Sequence, residues 1–254
     1  MNNPAAFVAT TLNGLLNNPG NPRLTWYGDD YERIELSGSV LNNWVNKTTN
    51  LLVEECDAAS GSTIGLHLPP HWRQLIWSLA ALRTGATLLL DPSAPCDVRV
   101  TSHSDDASLQ HDELIMVTLQ ALARTYDGLL PSGALDAAAV VMTYGDSLGY
   151  VPATELHSQA LASEHHTLTY QELPAWVETT PLDTEQRVLI KCSDDSPLTA
   201  LNVLRTALHV WAGGGSVVLV SAATTRELTE DPARTQRIVD SERVTVTYRA
   251  HSED

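Results

Sequence analysis

The chain has 254 residues, 43% of them hydrophobic, and its 31 acidic and 15 basic residues give a formal net charge of −16. A chain of this length can bury a large core, either as one α/β domain or as two small ones. Because so acidic a surface repels phosphate backbones and anionic lipids, we expect neither nucleic acid nor a membrane as a partner.

The N-terminal part of the chain predicts a β-hairpin followed by a helix. Residues 24–27 and 32–36 are typical of strands, and they flank the turn residues Gly28-Asp-Asp30. Ser37 or Ser39 is placed to cap the helix. Its inward face is predicted, from the 3.6-residue spacing, to consist of Val40, Leu41, Trp44, Val45, Thr48, Leu51 and Leu52.

Residues 63–90 predict a strand, a helix and a second strand. Thr63–His67 and Thr87–Leu90 are the strands, and the helix begins at Pro69-Pro70, with Pro70 suited to the first turn. Gly85 lies beyond its end. The residues predicted to face inward are Trp72, Leu75, Ile76, Leu79 and Ala80. A connection this long favours parallel strands in a sheet that is covered by helices.

The C-terminal part repeats this pattern. Strands are predicted at residues 187–191, 216–220 and 244–248. Ser196-Pro197 and Asp231-Pro232 each predict a helix cap followed by a first-turn proline, and Gly213-Gly-Gly215 predicts a helix end.

The middle of the chain has weaker patterns. There we predict strands at residues 97–101, 114–118 and 138–142 and a loop at residues 126–133. The predicted organisation is one α/β domain over residues 1–254, open to division into two pseudo-similar halves of about 1–160 and 161–254.

Three segments, in this order, resemble the large N-terminal domain of AMP-binding adenylate-forming enzymes, the acyl-CoA synthetases and their relatives. They are residues 24–52, residues 63–86 with the turn Leu68-Pro-Pro-His-Trp72, and residues 199–246 with Gly213-Gly-Gly-Ser-Val-Val-Leu-Val220. Glu32-Arg33, Asn43-Trp44 and Lys47 are most similar to a small actinobacterial family of short synthetase-like proteins. The resemblance implies parallel, helix-covered sheets in a truncated version of that domain.

The chain departs from the pattern of these enzymes where they bind ATP. The family holds the phosphates with a Thr/Ser/Gly-rich loop ending in Pro-Lys, because backbone N–H groups must approach them closely. The candidate segments here, residues 141–149 and 160–170, lack lysine and contain Asp146 and Glu164. The chain also ends before the family's adenine and ribose motifs and its C-terminal lid with the catalytic lysine. We therefore expect no catalytic residue and no cofactor.

These departures predict a non-catalytic, synthetase-like protein that binds a partner protein or a small ligand. The alternative is an enzyme or sensor that retains an acyl or CoA pocket without using ATP. A homodimer is also expected, because the surface that a C-terminal domain covers in longer relatives would here be exposed.

His71 and Trp72 are the candidate ligand-binding residues. They begin a helix after a strand end, which is where open α/β sheets bind ligands, although a packed helix start is the simpler interpretation. Gly145-Asp-Ser-Leu-Gly149 has the spacing of a nucleophile elbow around Ser147. Because Pro152 would interrupt the helix that an elbow requires, a strand-to-loop turn is the favoured interpretation there.

Two further features concern metals and cell location. His165-His166 beside Glu164 would need at least one more ligand, so we favour a solvated loop and expect no metal. Cys56, Cys96 and Cys192 are odd in number and widely spaced, which favours reduced thiols. Without a long apolar run or a signal peptide pattern, a cytoplasmic location is expected.

Overall fold

The computed structural model of the chain describes residues 6–163 and 167–251 as a mixed α/β structure with two largely parallel sheets. The strands are β1 (Pro22–Tyr27), β2 (Arg33–Ser37), β3 (Thr63–His67), β4 (Thr87–Leu89), β5 (Cys96–Thr101), β6 (His111–Met116), β7 (Leu135–Asp136), β8 (Gln159–Ala162), β9 (Thr167–Thr169), β10 (Arg187–Cys192), β11 (Ser216–Val220) and β12 (Val246–Ala250). The helices are α1 (Phe7–Leu15), α2 (Gly38–Cys56), α3 (Trp72–Thr84), α4 (Ala137–Val140), α5 (Leu173–Glu178), α6 (Pro197–Ala212), α7 (Ala222–Glu230) and α8 (Pro232–Ser241).

The described residues form two compact units built from interleaved segments. Unit 1 contains residues up to 8, residues 43–68 and residues 76–174, and unit 2 contains residues 9–42, 69–75 and those from 175 onward. The halves predicted at about 1–160 and 161–254 stay a prediction, and the boundaries of these two units lie elsewhere along the chain.

Unit 1 contains a sheet whose described strands have the order β7-β6-β5-β3-β4-β8-β9. All neighbouring pairs are parallel except β8 and β9. The central strands are apolar on both faces, as a parallel sheet covered by helices requires. The predicted strand–helix–strand unit is confirmed, and all five residues predicted to face inward from α3 are buried.

The sheet of unit 2 has the order β12-β10-β11-β1-β2, and β2 is its antiparallel edge strand. Both predicted N-caps are confirmed, since Ser196 accepts a hydrogen bond from the Thr199 N–H and Asp231 accepts one from the Arg234 N–H. Gly214 has a φ of 79°, which explains why glycine follows α6. One face of the sheet packs into a cluster that contains Leu189, Val218, Val220, Leu228 and Ile238.

Several predictions were wrong in detail. Residues 138–142 were predicted as a strand but lie in α4 and a following 3₁₀ helix, because Asp136 caps this alanine-rich segment by accepting from the N–H groups of Ala138 and Ala139. Pro70 precedes α3 by two residues and is not in its first turn. Val40 lies on the outer side of α2 and is 40% exposed.

We predict that Leu79→Ala lowers the free energy of unfolding by roughly 2–5 kcal/mol, because Leu79 is fully buried and its truncation adds a cavity term to the lost transfer energy. Urea titration measures the change. Val40→Ala is the control in a half-exposed helical position and should change stability by less than about 1 kcal/mol. Equal losses in the two variants would show that the inward face of α3 is misassigned.

Candidate functional site

The two adjacent strands β3 and β5 of unit 1 form a topological switch point. After β3 the chain continues to β4 on one side, and after β5 it continues to β6 on the other side. The strands are parallel and pair His67 with Thr101, so their carboxyl ends lie at the same edge of the sheet. Ligands of open α/β sheets bind in the crevice at such a point. In unit 1 this edge is therefore the place where a small-molecule site is expected.

Four polar side chains meet at this edge, and we call His67, Thr101, His103 and Asp106 the carboxyl-edge cluster. Asp106 lies in the 3₁₀ helix Ser104–Ser108 and is only 8% exposed. Its Oδ2 accepts hydrogen bonds from His67 Nδ1 at 2.7 Å and from Thr101 Oγ1 at 2.6 Å. The rings of His67 and His103 are stacked, with 4.4 Å between their centroids.

This arrangement fixes the orientation of the His67 ring. An ionised carboxylate can only accept hydrogen bonds, so Nδ1 of His67 carries the proton that is donated to Asp106. In the neutral imidazole, Nε2 is then left as an acceptor. The His67 side chain is 28% exposed and His103 is exposed, so a molecule in solvent can reach the outer side of the cluster. The cluster can accept a hydrogen bond from a ligand at a fixed position.

The predicted ligand-binding residues His71 and Trp72 belong to unit 2 and are buried, at 5% and 2% exposed. The His71 ring packs edge-on against Trp26, with 4.5 Å between centroids, and its Nδ1 accepts from the Arg73 N–H. Burial, with a smaller effect from the nearby charge of Arg73, lowers the pKa of His71 to about 3. His71 is thus a neutral, packed imidazole, and a ligand-binding role for the two residues stays a prediction.

The segment around Ser147 does not form a nucleophile elbow. It follows α4 and a 3₁₀ helix instead of a strand, and the next helix along the described chain, α5, begins only at Leu173. Polar side chains of α2 hold its backbone: Asn46 donates to the Asp146 carbonyl at 2.7 Å, and Asn50 accepts from the Gly149 N–H at 2.9 Å. The Lys47 ammonium lies 2.9 Å from the Asp146 carboxylate. These contacts hold the backbone of the segment against α2, and the Gly149 N–H is bonded within the chain.

In unit 2, the N-terminus of α6 is already occupied by a carboxylate of the chain. Asp194 accepts from the Ser196 N–H at 2.9 Å, from Thr199 Oγ1 at 2.7 Å and from Ser193 Oγ at 2.8 Å. Partial burial alone would raise the pKa of Asp194, but these hydrogen bonds outweigh it and hold the pKa well below its usual range. Helix N-termini are ready-made phosphate sites, and here Asp194 takes that place.

The pairing of His67 with Asp106 was not predicted from the sequence. The sequence carries only a weak signal for it. A histidine is the last residue of the apolar strand β3, and the polar run Thr101-Ser-His-Ser-Asp-Asp106 begins at the last residue of β5. Among residues 6–163 and 167–251, no three or more His, Cys, Asp or Glu side chains are grouped to hold a metal ion. His165 and His166 lie outside the described residues.

No helix within the described ranges is long and apolar enough to cross a membrane. All three cysteines are free thiols.

Comparison with known proteins identifies a sequence relative and a shared fold. No model of a known protein family matches the chain. A TIGR03089 family protein of Mycobacterium tuberculosis is 31% identical over 255 residues, which cover 96% of this chain and 99% of that protein.

Solved structures with the same fold include an acyl-CoA synthetase of Brucella canis, with a TM-score of 0.70 and 15% identity over 95% of this chain. The amide bond synthetase McbA of Marinactinospora thermotolerans has a TM-score of 0.67 and 15% identity over 96% of this chain. This chain covers 50% and 48% of their lengths, so it spans about half of each. The predicted acyl-CoA synthetase-like fold is confirmed.

We predict that His71 makes the folded protein less stable as the pH is lowered. Its pKa is about 3 in the folded protein and near 6.5 when unfolded, so its stabilisation is complete above about pH 6.5 and is lost as the pH falls toward 3. From pH 7 to pH 5 the loss should be roughly 2 kcal/mol.

His71→Asn keeps an acceptor for the Arg73 N–H but does not titrate. The stability difference between wild type and this variant, measured by urea titration, should therefore shrink by about that amount, roughly 2 kcal/mol, from pH 7 to pH 5. A difference that is constant over this range would contradict the prediction.

Proposed function

The chain belongs to the TIGR03089 family and has an acyl-CoA synthetase-like fold, and from this premise we propose that it is a non-catalytic protein that binds a polar small molecule without adenylating it. The observation that carries the proposal is the carboxyl-edge cluster, in which a buried carboxylate hydrogen-bonds to one of two stacked imidazoles at a topological switch point. The ligand is one that donates a hydrogen bond to Nε2 of His67.

The surroundings of His67 favour binding over catalysis. A histidine oriented by a carboxylate resembles the base of a catalytic triad, but such a base acts by accepting the proton of a hydroxyl or thiol nucleophile. Among the described residues, His67 makes its one hydrogen bond to Asp106 and stacks on His103. The free nitrogen is therefore available to a ligand and not engaged with a nucleophile.

Two features support the absence of adenylation. Asp194 occupies the α6 N-terminus, where its negative charge would repel a phosphate, and the N–H of Gly149 is bonded to Asn50. The α6 N-terminus and the segment 141–149 are thus each satisfied by the chain's own groups. Binding ATP at either one would require these bonds to break and a carboxylate to move away.

Assembly is a further part of the proposal. Leu122 and Leu129 lie in the segment between β6 and β7 and are each 91% exposed, which is unusual for leucine in a monomer. We propose that a second copy of the chain covers this segment.

We predict that millimolar Mg-ATP leaves the melting temperature unchanged and that pyrophosphate exchange is absent. A ligand at about 100 times its dissociation constant stabilises a fold by about 2.7 kcal/mol, which raises the melting temperature of a protein this size by roughly 5–10 °C. A shift of that size with ATP would overturn the proposal. The same assay with CoA, acyl-CoAs and AMP tests the alternative of a retained acyl or CoA pocket.

A thermal-shift screen of polar metabolites should yield stabilising compounds whose effect is lost in His67→Asn, since the asparagine amide can replace Nδ1 as a donor to Asp106 but no atom of it reaches the position of Nε2. His157→Asn, at an exposed histidine outside the cluster, is the matched control and should keep the full shift. Compounds that stabilise both variants equally would place the binding site elsewhere.

Light scattering at micromolar concentration should give the mass of two chains, and the double variant Leu122→Ser, Leu129→Ser should give the mass of one. The replacement removes apolar contact area without changing charge. A wild-type mass of one chain would contradict the dimer and leave the ligand proposal unaffected.

A further inference from the structure

A cavity of about 370 Å³ lies at the amino ends of three parallel strands of unit 2. Its walls include Pro22 and Arg23 of β1, Arg187 of β10 and Ser216 of β11, together with the Gly214-Gly215 turn. Ligand pockets in proteins fall in the range of about 300–1,000 Å³, so this cavity can hold a small molecule. It lies at the sheet edge opposite to the one that such sheets commonly use for ligands.

Most of the charges that line this cavity neutralise each other. Glu242 accepts from Arg33 at 2.8 Å and from Arg187 at 2.5 Å, and Arg33 also pairs with Glu35 at 2.7 Å. Arg187 is further bonded to Thr25 Oγ1 and Ser216 Oγ. These groups form a closed network that needs no ligand.

Arg23 also lines the cavity but is not part of this network. It is 8% exposed, and its Nη1 donates to the carbonyl oxygens of Gly214 and Gly215 at 2.5 and 3.0 Å. Its buried Nε has no hydrogen-bond partner, and no carboxylate of the described residues lies within 4.0 Å of its guanidinium. Burial lowers the pKa of Arg23. A buried charge without a counter-ion is costly, and an anion in the cavity would remove that cost.

The rim of the cavity carries a second cation. Arg243 is exposed, lines the cavity and makes no side-chain hydrogen bond or ion pair among the described residues. Glu185 is the one lining carboxylate without a partner in that same part of the chain, so the unpaired lining charges are two positive and one negative. Arg243 and Glu185 both have a left-handed backbone, with φ of 54° and 58°. Such strained residues concentrate at ligand sites.

We propose that this cavity binds the anionic group, phosphoryl or carboxylate, of a small molecule. The positively charged side chains of Arg23 and Arg243 would contact that group. A guanidinium presents a planar fork of donors that matches both oxyanions, and Nη2 of Arg23 makes no hydrogen bond among the described residues. The site is independent of the carboxyl-edge cluster, because each lies within a different unit and no residue belongs to both.

The test is a titration with inorganic phosphate and, separately, with succinate, followed by melting temperature at an ionic strength held constant with sodium chloride. The wild type should show a saturable rise with at least one probe, and the tighter probe identifies the head group. Arg23→Met should abolish the rise. Arg243→Gln should raise the dissociation constant about fivefold because an attractive charge is lost. Glu185→Gln should lower it by a similar factor because a repulsion is removed.

Arg249→Gln removes an exposed arginine that does not line the cavity, and this matched control should bind as the wild type does. If Arg23→Met fails to fold, the opposite effects of the two rim variants decide the question. The proposal is overturned if neither probe gives a saturable rise beyond the chloride control. It is also overturned if the Arg243, Glu185 and Arg249 variants all respond as the wild type does.

Discussion

Parallel strands cannot be joined by tight turns, and this constraint determines where polar side chains can lie in the fold. Each connection must carry the chain back to the start of the next strand, so the polar loops collect at the two edges of each sheet. The strands between them are apolar runs that are buried on both faces. In unit 1 the carboxyl edge carries His67 and Asp106, and in unit 2 the amino edge carries Arg23 and its cavity.

One connection between strands is too short for a helix, and a buried arginine compensates for it. Residues 90–95 join β4 to β5, which flank β3 on either side. Arg99 is fully buried and donates to the carbonyls of Pro92 at 2.6 Å and Ala94 at 2.7 Å. Gly65 leaves room, because a Cβ there would lie 2.8 Å from Cys96 Sγ. Arg99 uses both terminal nitrogens to hold a loop, whereas Arg23 uses one.

Local patterns predicted the elements, and they could not predict the site. The caps Ser196 and Asp231 and the strand β3 depend on a few consecutive residues, so the sequence alone predicts them. An apolar run such as 138–142 fits a strand or a helix equally well, and the cap at Asp136 decided the outcome. His67 and Asp106 are 39 positions apart, and they meet because β5 pairs with β3, which only the strand order reveals.

The effect of the net charge of −16 on each site depends on how far the charged side chains lie from that site. Acidic side chains act as internal counter-ions: Asp194 occupies a helix N-terminus, and Glu242 and Glu35 together neutralise Arg33 and Arg187. At physiological salt the Debye length is about 8 Å, so the rest of the acidic surface is largely screened from an anion inside the cavity of unit 2. Contacts of about 3 Å to a partly desolvated guanidinium are screened far less. The local field of Arg23 therefore acts on an anion in the cavity more strongly than the net charge does, so the proposed site is compatible with an acidic protein.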